Sequence, residues 1–418
     1  EGIKEKILPP KIIIQNHLKL LKNWIPNSPE EHPFFQPLLS FPTNLSPSQK
    51  AELKKRGRTV IRKKIIPTYQ KLKKFMANTY LKAAPEKPGV RNIPDGKSFY
   101  ENRVRFFSTL DISPDSVFQL GQAEVKRIRT SMEKIIQDLN YEGSFADFIQ
   151  FLRTDPQFYP KSGEALLQKA AWISKQAEAQ LPRLFGKLYS LPFTVAPVPD
   201  AIAENYTGGR YVPGSRSQNR PGTYWVNTSK LKSRTLYTLP ALTLHEAVPG
   251  HHLQIMLAAE LEGLPDFRNN YYISAYGEGW GLYAEYLGEE MGIYQTPYER
   301  FGRYTYEMWR ACRLVVDVGL HYKDWSRQEA VDFMSQNTAL SLHEVNTEID
   351  RYIGWPGQAI SYKIGEITIK YLRKEAEEKL GKAFDIQEFH DIILRNGSVP
   401  LPVLEREVSQ YIEQKLEN

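Results

Sequence analysis

A proline stands where a helix needs a hydrogen-bond donor. The stretch Thr243–Gln254 reads T-L-H-E-A-V-P-G-H-H-L-Q, within an apolar segment spaced for a helix from about Pro240 to Glu262. Pro249 removes one backbone N–H and crowds the carbonyl of His245, and Gly250 loosens the same turn. A local bulge is therefore expected. Three of the chain's eight histidines, His245, His251 and His252, fall here, and Glu246 directly follows the first. Neutral imidazole is a preferred zinc ligand, and a neighbouring carboxylate can activate a zinc-bound water.

The pattern opens like the zinc-binding helix H-E-x-x-H but closes differently, because Pro249 takes the place of the second histidine. Two geometries bring a second imidazole to the face of His245. In an undisturbed helix of about 3.6 residues per turn, His252 returns to that face. If the bulge absorbs two residues, V-P or P-G, His251 does so instead. His251 is the favoured ligand and His252 the alternative. The plain competing reading is a group of packed histidines without metal.

A zinc hydrolase usually has three protein ligands and one position for water. The expected third ligand is Glu278, in S-A-Y-G-E-G-W-G-L-Y-A-E-Y, where Gly277, Gly279 and Gly281 allow a close helix approach. Glu285, two turns on, is the second choice. Glu246, offset about 100° from His245, is the expected general base. The oxyanion of the intermediate needs a proton donor, and R-Y-I-G-W-P-G-Q-A-I-S-Y-K-I-G supplies Tyr362 as first choice and Tyr352 as second. In the same stretch, Arg351 could pair with a substrate carboxylate through two parallel hydrogen bonds, and Gln358 is a further substrate-binding candidate. Arg310, Arg313, Asp317 and His321 share a helix face and read first as a structural ion-pair group. The strand before the histidines, with Tyr224 and Val226, offers a sheet edge for an extended peptide, or else is an ordinary buried strand.

The rest of the 418-residue chain reads as mainly α. Helical spacing covers Lys11–Ile25, a long segment from the Ser46-Pro47 cap to about Ala83 with a kink at Pro67, 114–139, Phe145–Leu152 and Glu164–Leu184. Pro85–Asp95 reads as a linker. Tyr189–Val198 and Gly222–Thr228 read as strands, and Gly208-Gly209 with Pro213–Pro221 as turns. Helices return over Ser274–Met291, Pro297–Tyr322, Arg327–Gln336, Leu342–Ile353, Gly357–Leu380, Ile386–Leu394 and Val403–Leu416. This gives an N-terminal helical portion over 1–188 and a catalytic portion over 189–418, forming one compact unit with a cleft and a small sheet beside the histidine helix. One cysteine, Cys312, excludes an internal disulfide framework.

The net charge of +7 is concentrated in Lys50–Lys74, which holds eleven Lys/Arg against one acid, Glu52. This reads as a helix with a solvated basic face. A surface for nucleic acid or an anionic membrane is the sharper reading, and no nucleic-acid-binding motif accompanies it. No apolar run reaches the ~20 residues of a membrane span. The chain opens at Glu1 in mid-pattern, so a processed or truncated product, with an anchor or a domain upstream, is expected.

H-E-A-V-P-G-H-H-L-Q, the preceding G-T-Y-W-V-N-T, and the later E-G-W-G-L-Y-A-E and W-P-G-Q-A-I-S-Y closely resemble the bacterial domain-of-unknown-function 885 family, regarded as candidate zinc metallopeptidases. More distantly the chain is similar to thimet oligopeptidase, angiotensin-converting enzyme and the Taq-type carboxypeptidases, whose helix reads H-E-x-G-H-A-L. Laying G-H-H-L on G-H-A-L puts His251 on the second ligand and Glu278 on the third, with the tyrosine cluster near Tyr352 and Tyr362. The resemblance implies a gluzincin-like peptidase with one zinc ion, acting on short peptides as a carboxypeptidase or oligopeptidase, in a periplasmic or envelope lipoprotein, with a cytoplasmic location as the alternative. The alternatives are a non-catalytic binding protein with a degenerate site, and a zinc hydrolase of a non-peptide amide.

Overall fold

Serine, threonine and proline mark the helix starts in the computed structural model, which describes residues 1–204 and 206–417. Helix α1 (Lys11–Leu20) leads into 3-10 turns. A rod follows, made of Pro47–Val60, Ile66–Phe75 and Leu81–Ala83, joined by π-helical turns at Ile61–Ile65 and Met76–Tyr80. Ser46 opens it with a reciprocal capping box to Gln49. The expected kink at Pro67 takes the form of the π turn just before it, where a residue lacking an N–H is tolerated.

Helix α2 (Gly96–Ser108) follows a stretch read as linker and was not expected, because its apolar face is short. Helices α3 (Pro114–Asp138) and α4 (Gly163–Glu178) lead to the sheet. Its strands β1 (Phe193–Pro197), β2 (Gly209–Val212) and β3 (Gly222–Val226) lie in the order β1-β3-β2. β1 runs parallel to β3, and β2 antiparallel, with Tyr211 opposite Tyr224.

The histidine segment forms two helices, α5 (Leu239–Glu246) and α6 (His251–Ala259). After them come α7 (Ser274–Glu290), α8 (Pro297–His321), α9 (Leu342–Gly354), α10 (Ser361–Leu380), α11 (Ile386–Leu394) and α12 (Leu401–Glu417). The fold is mainly α with one small three-stranded sheet.

Helix α8 is the buried axis: Thr305–His321 are all buried. Its polar residues recur every three or four positions, at Arg303, Glu307, Arg310, Arg313, Asp317 and His321. Buried charges persist only where they are paired, so this stripe fixes which elements surround α8. Arg303 pairs with Glu289 of α7, and Arg313 with Glu348 of α9. Asp317 accepts hydrogen bonds from Tyr100 of α2 at 2.6 Å and from the Gly357 amide at 2.9 Å. His321 meets the Tyr352 carbonyl at 3.0 Å.

Helix α7 packs along α10. A Cβ on Gly279 would lie 2.5 Å from the Gly365 Cα, so two glycines permit backbone contact at the crossing. One hydrophobic cluster runs from Tyr100 to Ile412. Among the described residues, no helix is long and apolar enough to cross a membrane.

Candidate metal centre

The interruption at Pro249 is a full break in the helix. Helix α5 ends at Glu246, residues 247–250 form a turn with a cis Val248–Pro249 bond, and α6 starts at His251. The expected bulge within one continuous helix is thus corrected to two helices. A Cβ at Gly250 would lie 2.0 Å from the His245 carbonyl oxygen, so only glycine fits there. The His252 amide returns to the Ala247 carbonyl at 3.0 Å, and Trp280 of α7 donates to the Pro249 carbonyl at 2.8 Å. The turn is therefore tied to its own ends and to α7.

This turn brings the His251 ring beside His245, perpendicular and 4.8 Å away between centroids. Glu278 Oε2 lies 3.5 Å from Nε2 of both. One ligand atom from each of His245, His251 and Glu278 falls within 4.8 Å of the others. Two imidazole nitrogens and a carboxylate oxygen are the donor set suited to zinc.

Glu285, the second choice for third ligand, has a different position. It sits on the opposite side of the His245 ring, with Oε1 2.8 Å from Nδ1 and 3.2 Å from Arg310. A carboxylate on Nδ1 fixes the ring and turns Nε2 toward Glu278 and His251. Gly281 makes room for that ring: a Cβ there would come within 2.7 Å of the His245 Cε1. Burial opposes charge on His245, but Glu278, Glu285 and Glu246 together push its pKa up to about 9. Burial likewise works against ionised Glu278, and the two histidines hold it well below the usual carboxylate range. The pocket thus favours a positive charge at its centre.

His252 points elsewhere. Its Nδ1 is 2.9 Å from the Tyr211 hydroxyl, and its ring packs on Tyr189 and Phe193. Burial pushes its pKa down to about 4. The alternative ligand assignment is corrected: His252 fastens α6 to the sheet.

Glu246 is outside the ligand group but beside it. Its Oε2 accepts the Tyr211 amide of β2 at 2.8 Å, and its charge acts on His245.

Tyr362 stacks at 6.5 Å on His245, and the Arg313 guanidinium covers its ring at 4.2 Å. Burial and Glu278 raise its pKa, which keeps the hydroxyl protonated as a donor. Tyr352 is fully buried, and its hydroxyl accepts from Trp309 at 2.9 Å and Arg313 at 2.8 Å. It supports Arg313, which in turn lies over Tyr362. Arg351 is already paired with Glu348 at 3.0 Å and with Gln358 at 2.7 Å. Gln358 reaches Ser274 of α7 at 3.3 Å.

The strand expected to receive substrate is corrected as well. β3 is the central strand, and Tyr224 and Val226 are buried at 0% and 1% exposure. The sheet edge next to Glu246 is β2, a strand hidden from the sequence reading by flanking glycines and Pro213.

Two contributors were also missed. Tyr272 donates to Glu278 Oε1 at 3.2 Å, and Gln254 stands 3.4 Å from His251 Nδ1. Gln254 follows His251 by three positions on a helix, a readable signal. Nothing in the sequence separates Tyr272 from the other 23 tyrosines.

The profile of the family described as "Bacterial protein of unknown function (DUF885)" matches residues 1–408. The chain belongs to the DUF885 family. A structure described as "the putative lipoprotein from Colwellia psychrerythraea" superposes with a TM-score of 0.94 at 33% identity, covering 99% of this chain and 72% of that one. Another, "a putative lipoprotein of unknown function from Shewanella oneidensis", gives 0.71 at 19% identity, covering 94% and 72%, and shares the fold. No curated protein matches the sequence. In this DUF885 chain, the segments that carried the resemblance supply His245, His251, Glu278 and Tyr362 to one pocket.

Proposed function

We propose that this DUF885 chain is a zinc-dependent peptidase acting on short peptides. The observation that carries the reading is the convergence of His245, His251 and Glu278 within 4.8 Å, beside a glutamate that is not one of the ligands. The donor set fits the metal: three N/O donors is the number found in catalytic zinc sites, and Glu285 presets the His245 tautomer. When bound, zinc supplies Lewis acidity that polarises a carbonyl and acidifies water.

The chain's own residues divide the rest of the work. Glu246, held by the Tyr211 amide, takes a proton from water and delivers it to the leaving amine. Tyr362, kept protonated, donates to the substrate carbonyl oxygen as negative charge develops there. The outer edge of β2 lies alongside Glu246, and its backbone groups other than the Tyr211 amide, which Glu246 holds, accept an extended peptide. Short peptides suit a centre whose histidines are only 3% and 8% exposed. The description of the Colwellia relative supports a place in the cell envelope.

Metal analysis with peptide turnover tests the reading. The purified protein should carry stoichiometric zinc and lose it on Glu278→Ala. Glu246→Gln should keep the metal and lose on the order of a thousandfold in kcat on a mixed peptide substrate. Absence of divalent-metal binding at neutral pH would refute it.

A further inference from the structure

A cavity of about 430 Å³ lies between α6, the segment 261–272, the start of α7 and the turn 396–398. This is within the roughly 300–1,000 Å³ of small-molecule sites. It shares a wall with the candidate metal centre. Gln254 lines it and stands 3.4 Å from His251, and Tyr272 lines it and donates to Glu278.

The lining is mixed, with more apolar than polar surface. Ile255, Ala258, Leu261 and Leu264 present apolar surface, joined by the ring of Tyr271. The polar groups are turned to protein partners. Tyr276 donates to the Ile393 carbonyl at 3.1 Å, Arg268 to the Asn396 carbonyl at 2.7 Å, and Ser398 accepts the Ile273 amide at 2.8 Å. Among the described residues, no aspartate, glutamate or lysine lines the cavity. A cationic side chain entering it loses hydration and finds no counter-ion, and an anionic one meets only Arg268, whose guanidinium is bonded to the Asn396 carbonyl, whereas an apolar one gains by burial.

We infer that this cavity is the specificity pocket for a bulky apolar or aromatic side chain of the substrate, on the residue next to the bond cleaved. The inference rests on the peptidase reading and extends it to a substrate class.

Binding to the catalytically disabled protein tests the pocket apart from the chemistry. Zinc-loaded Glu246→Gln protein is titrated by calorimetry with N-acetyl-phenylalaninamide, N-acetyl-alaninamide and N-acetyl-argininamide. The aromatic probe should bind at least about tenfold tighter than the alanine probe. Ala258→Trp, which fills the cavity, should erase that difference. Ile255→Asp should shift preference to the arginine probe, a gain that misfolding cannot produce. In the active protein, kcat/KM for peptides varied at the flanking residue should follow the same order. Equal binding of the aromatic and alanine probes, or a preference that survives both substitutions, overturns the inference. The expected probe order without any peptide cleavage would sink the peptidase reading and leave the pocket standing.

Discussion

His245 has a carboxylate at each ring nitrogen, and the two differ in what else they touch. Glu278 also meets His251, whereas Glu285 is tied to Arg310 and lies on the far side of the ring. The sequence placed both glutamates two turns apart on one helix face. Only Glu278 reaches both histidines, and the position of Glu285 behind the His245 ring depends on where α5 crosses α7. The tyrosines separate in the same way. Tyr352 and Tyr362 both stood out by position, yet Tyr352 is committed to Trp309 and Arg313, and Tyr362 faces His245. Tyr352→Phe leaves the buried Arg313 Nε without its acceptor and should cost about 1–3 kcal/mol of stability. Tyr362→Phe should leave the denaturant midpoint nearly unchanged and lower kcat on the order of a hundredfold. Urea unfolding and peptide turnover on the two variants check this. Equal losses of stability would mean that Tyr362 is structural.

Helix starts were the most readable elements, because caps are local chemistry. Ser46, Ser113, Thr296 and Ser341 each accept an amide from the first turn of the helix they open. β2 and the form of the break at Pro249 were not legible, since both depend on partners far away in sequence: β3 for the strand, Trp280 for the turn. The glycines of α7 were read as allowing close approach, and the structure divides that task. Gly279 meets Gly365, and Gly281 accommodates the His245 ring. A mid-helix glycine costs roughly 1 kcal/mol relative to alanine, so Gly281→Ala gains helix propensity while pressing on the imidazole at 2.7 Å. The expected outcome is zinc affinity lower by about ten- to a hundredfold, the range for disturbing a ligand's support, with no matching fall in melting temperature. Competition titration against a zinc-binding dye measures it, and unchanged affinity would show that the ring has room to move.

At the scale of the whole molecule, the basic run was read as a solvated face, and most of its cations are exposed along the rod. Arg310, Arg313, Asp317 and His321 were legible as a structural group by their shared helix face, but the cluster around Lys363 was not, because its members come from three helices far apart in sequence. Lys363 of α10 is fully buried, 2.9 Å from Glu124 of α3 and 2.8 Å from both Glu307 of α8 and Glu366. Arg127 and Arg303 complete the group on Glu307. Burial opposes charge on Lys363, and the surrounding carboxylates reverse that and raise its pKa. One cluster therefore ties together three long helices, one residue along α10 from Tyr362. Removing the cation alone should cost more than removing the pair, because the desolvated carboxylates are then left without their partner. Lys363→Met is expected to destabilise the fold by about 3–5 kcal/mol, and adding Glu307→Gln should recover part of that loss. Chemical denaturation of the wild type, both single variants and the double variant closes the cycle. If the single and double variants all unfold at the wild-type midpoint, the cluster does not hold the helices together, and packing along α8 alone sets the arrangement around the candidate centre.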